Sequence, residues 1–201
     1  FERTMARILF QQAVWQRSVT GGLARTMLLF GESAEFPGAY NVEVMTPGWF
    51  QRATDGLTLE EYVEAIFVIS ATAIQAQGQF SPDWPGQPGL DVVEGVFSPH
   101  ILRRVFEEHL VTTADDFKAT NRTFQDPLDE VQKKYAFNPL RDTPFIIGLT
   151  EVPFAPWVQA IMMKASPSGI YHLLHDAGFE GFSNDPGMVF QENVGRHLGL
   201  V

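Results

Sequence analysis

The sequence contains no cysteine among its 201 residues. Disulfide bridges, thiolate metal sites and cysteine nucleophiles are therefore excluded. A chain without cysteine suits a reducing compartment, so we expect a cytoplasmic location. No apolar run reaches the roughly 20 residues that a membrane-spanning helix needs, so we expect no membrane insertion.

Basic residues are also scarce. Lys and Arg number 14 against 24 Asp and Glu, which gives a net charge of −10. Nucleic-acid binding depends on clustered cations that neutralise phosphates. The chain offers only the pairs Arg103-Arg104 and Lys133-Lys134, and acidic residues flank both pairs. We therefore expect no direct nucleic-acid binding from this acidic segment.

Several catalytic and targeting motifs are missing. There is no GxSxG turn for a serine nucleophile, no HExxH zinc motif and no phosphate-binding loop that ends in Lys-Ser or Lys-Thr. The chain opens on Phe1-Glu2-Arg3, without a methionine or the basic and apolar pattern of a signal peptide. The expectation is a chain that begins inside a longer polypeptide and is not catalytic by itself.

The residues that are present predict a mainly α fold. Hydrophobic residues make up 45% of the chain, and 17 of them are phenylalanine. The run from Thr58 to Glu61 is a capping box, in which a threonine hydroxyl and a glutamate carboxylate satisfy the first amides of a helix. We predict an irregular multi-helix domain with a central buried helix over about 58–77 and one small β-hairpin over about 144–154.

Helix caps and apolar spacing place the other elements. Residues 33–57 contain several prolines and glycines and are predicted to be a loop. Helices are predicted over 2–17, 23–30 (capped by Thr20), 98–109, 113–121 (capped by Thr113), 126–135, 156–165, 168–176 and 188–201.

The last segment has apolar residues at 190, 194, 198 and 201, the spacing of an amphipathic helix. We predict a helical domain over 1–187. Residues 188–201 are then either the start of a truncated following domain or a terminal helix that docks on the core.

His172, His175 and Asp176 are the candidate metal ligands. Two histidines three residues apart lie on one helix face and could share a metal ion. The alternative is a solvated pair near a helix C-terminus, where positive charge is favourable. If these residues did hold a metal, the chain would be a small metal-dependent helical hydrolase or ligand-binding protein. Otherwise we expect the chain itself to hold no cofactor.

A resemblance rests on five segments in order. They are residues 78–84 (GQFSPDW), 97–118 (FSPHILRRVFEEHLVTTADDFK), 135–146 (YAFNPLRDTPFI), 153–174 (PFAPWVQAIMMKASPSGIYHLL) and 187–201 (GMVFQENVGRHLGLV). Their pattern resembles the N-terminal helical region of uncharacterised bacterial proteins that carry a C-terminal PD-(D/E)xK-nuclease-like domain. Such proteins are associated with DNA defence or processing.

The resemblance implies a role for the last helix. Gln191 or Glu192 would lie on the helix that precedes the nuclease sheet, and Glu192 would help to hold a catalytic divalent metal in the parent protein. The chain departs from the pattern in having Asn193 where an aromatic residue is expected, and the sheet itself is absent. The leading prediction is therefore a helical accessory or interaction domain, whose partner is another protein or the missing C-terminal domain.

Overall fold

The computed structural model describes residues 19–31, 45–46, 48–83, 98–134, 136–178 and 184–199. Within these ranges the chain is mainly α-helical with one pair of short strands, which confirms the predicted class. The helices are α1 (Val19–Thr26), α2 (Trp49–Ala53), α3 (Leu59–Gln75), α4 (Pro99–His109), α5 (Ala114–Gln125), α6 (Gln159–Met163), α7 (Pro167–Asp176) and α8 (Asn184–His197), and the strands are β1 (Val111–Thr113) and β2 (Phe145–Ile147). The helix predicted over 2–17 lies outside the described ranges.

The described residues divide into two compact units. The first unit contains Ala65–Met163, and the second contains Ser18–Glu64 together with Lys164–Val201. The boundary predicted at residue 187 falls inside α8, and the predicted division into two domains stays a prediction. In the part of the chain that the structure describes, no helix has both the length and the hydropathy to cross a membrane.

The predicted capping box begins α3. The amide of Thr58 donates to Oε2 of Glu61 at 2.8 Å, and the amide of Glu61 donates to Oγ1 of Thr58 at 3.1 Å. One broad side of α3 is buried, as predicted; its fully buried residues are Tyr62, Ala65, Ile66, Ile69 and Ala73. Buried residues cover most of the circumference of α3, and Phe67 and Ile74 lie on its exposed side.

Replacing Thr58 by alanine removes one half of this box. We expect the free energy of unfolding to fall by about 1 kcal/mol, as for other N-cap threonines. Urea denaturation followed by circular dichroism measures the change. Thr120 is an exposed threonine inside α5, and Thr120→Ala should leave stability almost unchanged. Equal effects of the two substitutions would contradict the capping role.

The strand pairing differs from the predicted hairpin. β1 and β2 are parallel, with Val111 opposite Phe145 and Thr113 opposite Ile147. Within residues 144–154 there is only a single antiparallel bridge, between Ile146 and Phe154. β1 follows α4 after one residue and leads directly into α5, so its three residues give too short a pattern to be recognised in sequence. The parallel pair is possible because α5 and the residues after it connect the two strands.

Other predicted elements have different bounds in the structure. Thr20 lies inside α1 rather than at its cap, and the helix continues as a π-helical turn over Met27–Gly31. The predicted loop over 33–57 contains α2. The predicted helix over 126–135 is wrong, because α5 extends to Gln125 and only a 3₁₀ turn over Gln132–Lys134 follows. The helix predicted over 156–165 shortens to α6.

Aromatic side chains fill the core of each unit. In the first unit the rings of Phe80, Phe106 and Phe145 lie with their centroids 5.0–6.1 Å apart. A chain of ring contacts runs through the second unit, from Phe30 through Trp49 and Phe50 to Tyr62. Burial raises the pKa of Tyr62 well above its usual value. The high phenylalanine content is thus used for packing, as the composition indicates.

Candidate interaction surface

The last helix, α8, contains the predicted catalytic residue Glu192 and the apolar residues spaced as in an amphipathic helix. It begins at Asn184, four residues earlier than predicted. Asp185 and Pro186 lie in its first turn, where an acidic side chain is favoured by the helix dipole and a proline is tolerated. Asp185 and Pro186 therefore explain why the helix starts at Asn184. The sequence around them is rich in glycine, which favours a loop.

One side of α8 is anchored in the second unit. Asp185 and Val189 are buried, and α8 packs against the π-helical turn over Met27–Gly31. Oδ2 of Asp185 accepts a hydrogen bond of 2.7 Å from the amide of Met45, which is also buried. A carboxylate that satisfies a buried amide fixes both segments in place. We call this side, defined by Asp185 and Val189, the inner face of α8.

The opposite side of α8 is apolar and exposed. Phe190, Val194 and Leu198 recur every four residues and are 59%, 39% and 65% exposed. At about 100° per residue, Val194 lies about 180° around the helix from Asp185. The amide of Leu198 still donates to the carbonyl of Val194, at 2.9 Å, so the helical geometry extends to that residue. We call the side defined by Phe190, Val194 and Leu198 the outer face of α8.

The outer face carries no charged side chain among these residues and their described neighbours on that side, Gly187 and Gln191. A Cβ atom added to Gly187 would meet nothing within 4 Å. Another protein surface could therefore approach the helix backbone closely at this point. Exposed apolar side chains such as Phe190, Val194 and Leu198 are suited to contact with another protein surface.

Glu192, the predicted catalytic residue, lies on the other side. It follows Asp185 by seven residues, about two helical turns, and is therefore directed close to the inner face. Its side chain is only partly exposed. The structure does not bring Glu192 onto the outer face with Phe190 and Val194, and its metal-binding role stays a prediction.

The predicted metal ligands lie on α7. His172 and His175 are exposed, on the side of the helix opposite the buried Ile170 and Leu174. The side chain of Asp176 is not among those described. Within the described residues, no group of three or more His, Asp or Glu side chains is placed to hold a metal ion. The metal site therefore stays a prediction. The exposure of His172 and His175 agrees with the alternative interpretation, a solvated pair near the C-terminus of a helix.

Sequence reasoning missed both the role of Asp185 and the short helix α2. The Asp185-Pro186 pair is a helix-start signal that the surrounding glycines obscured. For α2 the available signal was weaker, since five residues are too few to show a helical period. Only the structure shows that α2 contributes to the core, through the buried side chains of Trp49 and Phe50.

Comparison of the chain with protein-family models, with curated proteins and with solved structures gives no match.

Proposed function

We propose that the chain is a helical interaction domain of a larger, nuclease-like protein, and that it binds another domain of that protein through the outer face of α8. The observation that carries the proposal is the exposure of Phe190, Val194 and Leu198 on a helix whose other side is anchored. Burying three apolar side chains is favourable, and no charge on these side chains opposes it. The nuclease-like nature of the parent rests on the resemblance of the segments described above.

The size of the outer face favours a partner within the same polypeptide. A standard stable interface buries roughly 800 Å² on each partner. Three partly exposed side chains on one short helix fall well below that area, so two separate molecules would associate weakly through them. A covalently tethered domain experiences an effective concentration of the order of millimolar, at which a weak contact is occupied. This supports a tethered domain over a second copy of the chain.

The test uses the product of the complete reading frame beside the 201-residue chain. Each carries one engineered cysteine, Leu198→Cys, and its rate of maleimide labelling is measured. The chain has no other cysteine, so the signal comes from one site. We expect labelling to be about tenfold slower in the complete product, because a tethered domain covers the outer face.

Val131→Cys provides a matched control, since Val131 is as exposed as Leu198, at 65%. Its labelling rate should be the same in both proteins. Equal labelling of Leu198→Cys in both would overturn the docking proposal, as would a reading frame that adds no domain. If the reading frame adds a domain that lacks paired carboxylates and a nearby lysine, the proposal that the parent protein is nuclease-like is overturned.

A further inference from the structure

Helix α5 covers part of the first unit without being buried itself. All twelve of its residues lie within the described ranges, and none of them is buried. Its half-buried residues lie within an arc of about 80° around the helix; they are Ala114, Phe117, Asn121 and Gln125. We call these four residues the inner side of α5. A helix whose inner side is only half-buried is weakly held on the core.

The inner side of α5 lies over an apolar cluster. The cluster consists of the buried residues Leu140, Ile146, Trp157 and Ala160, and the half-buried side chains of Ala114, Phe117 and Met163 pack against it. We call these seven residues the α5 cluster. Phe117 is thus the one large apolar side chain that the inner side contributes to this contact.

The far end of α5 is held in a similarly loose way. Phe124 is 40% exposed, and its ring centroid lies 5.0 Å from that of Phe137. On the inner side, Nε2 of Gln125 donates to Oδ1 of Asn121 at 2.7 Å, so these two amides bond to each other. Two partly buried phenylalanines are therefore the large apolar side chains that hold α5 on the first unit, and few contacts are lost when it lifts.

Trp157 gives the α5 cluster an unsatisfied hydrogen-bond donor. The residue is 1% exposed, and its Nε1 has no acceptor among the described residues. A buried N–H group without an acceptor costs free energy that a hydrogen bond would recover. Buried indole N–H groups usually have such a partner. A molecule that carries an acceptor atom into this cluster is therefore favoured there.

The acceptor has to be uncharged. None of the seven residues of the α5 cluster carries a charge, so an ion placed among them would lose its hydration without a compensating partner. A carbonyl oxygen accepts a hydrogen bond without a formal charge. The cluster therefore suits an apolar body that carries a carbonyl group.

We infer that α5 is a lid over a binding site for a small uncharged molecule with an apolar body and one carbonyl group. When α5 lifts, the apolar body enters between Phe117 and the rest of the α5 cluster. The carbonyl oxygen then accepts a hydrogen bond from Nε1 of Trp157. Ligand sites commonly combine an apolar and aromatic lining with a few polar groups that fix orientation, and lids that open and close are a common means of access to them.

Amide hydrogen exchange of the 201-residue chain, followed by NMR, measures the opening of the lid. Helix α4 of the same unit is the internal control, because Leu102, Val105 and Phe106 are buried in it. We expect amides in the middle of α5 to exchange roughly 100-fold faster than those in the middle of α4. Equal rates would show that α5 opens only together with the whole unit and would overturn its role as a lid.

Two small molecules of the same shape test the binding site. Acetophenone has a carbonyl group on an apolar ring, and α-methylstyrene has a CH₂ group in place of the carbonyl oxygen. In an NMR titration, acetophenone should move the indole N–H resonance of Trp157 downfield, and α-methylstyrene should not. Because it cannot accept the hydrogen bond, α-methylstyrene should also bind about tenfold more weakly. Single Trp→Phe substitutions assign the resonances of the four tryptophans.

Trp49 is the matched control in the second unit. It is also 1% exposed, and its Nε1 likewise has no acceptor among the described residues. Its ring neighbours Phe30 and Phe50 are themselves buried, with centroids 5.9 and 5.4 Å from that of Trp49. We therefore expect the Trp49 resonance to stay in place. The inference is overturned by an unmoved Trp157 resonance, by an equal shift at Trp49, or by equal affinity for the two molecules.

Discussion

Replacing Gly78 by alanine is expected to lower the free energy of unfolding by roughly 2–5 kcal/mol. Gly78 follows α3 with a positive φ of +94°, a conformation that side chains other than glycine rarely adopt. Its amide donates to the carbonyl of Ala73 at 2.7 Å, and its carbonyl accepts from the amide of Ala155 at 2.8 Å. A Cβ atom here would lie 2.8 Å from Cε2 of Phe154 and 2.9 Å from the carbonyl oxygen of Ala155.

The two causes of this loss can be separated with Gly148. This glycine also has a positive φ, +83°, but a Cβ atom added to it would meet nothing within 4 Å. Gly148→Ala therefore measures the backbone strain alone, about 1–2 kcal/mol. The additional loss in Gly78→Ala measures the crowding against Phe154 and Ala155. Urea denaturation of both variants gives the difference, and equal losses would show that crowding contributes nothing.

Replacing Asp185 by alanine is expected to cost roughly 2–4 kcal/mol. The substitution leaves the buried amide of Met45 without the carboxylate that now accepts its hydrogen bond at 2.7 Å. It also removes a negative charge from the first turn of α8, where the helix dipole favours one. Asp185→Asn keeps an acceptor oxygen in place, so we expect it to lose less, about 1–2 kcal/mol.

Asp115 offers a matched control for Asp185. It also lies in the first turn of a helix, α5, but its side chain is exposed and paired with Lys118 at 3.1 Å. We expect Asp115→Ala to cost less than about 1 kcal/mol, since exposed ion pairs and dipole contacts contribute little. Chemical denaturation compares the variants. If Asp185→Ala were no worse than Asp115→Ala, the buried carboxylate would not be the anchor of α8.

Local signals predicted the starts of several helices. The Thr58–Glu61 capping box and the Thr113 cap are present as predicted. The helix predicted over 168–176 begins one residue earlier, at Pro167, and Ser166 caps it by accepting from the amide of Gly169 at 3.3 Å. Each of these hydrogen bonds joins residues only three positions apart, so the residue types alone specify them.

Contacts between distant residues could not be predicted in this way. β1 pairs with β2 across more than thirty residues, and each strand is too short to show a period of its own. The exposure of Phe67 and the anchoring of Asp185 by Met45 likewise depend on segments far apart in sequence. A pattern shows that a side chain is apolar or acidic, but only the packed neighbours decide whether water reaches it.

The outer face of α8 illustrates what the sequence determines and what only the tertiary structure decides. By itself, the sequence determined that Phe190, Val194 and Leu198 lie on one side of a helix, because a repeat of four residues fixes their common direction. It left open whether that side docks on the core or faces outward. Tertiary structure decided this point: Asp185 and Val189 bind the opposite side to the second unit, and the apolar stripe is left exposed. The physical reason is that the two sides lie about 180° apart around the helix, and turning Asp185 away would leave the buried amide of Met45 without its acceptor.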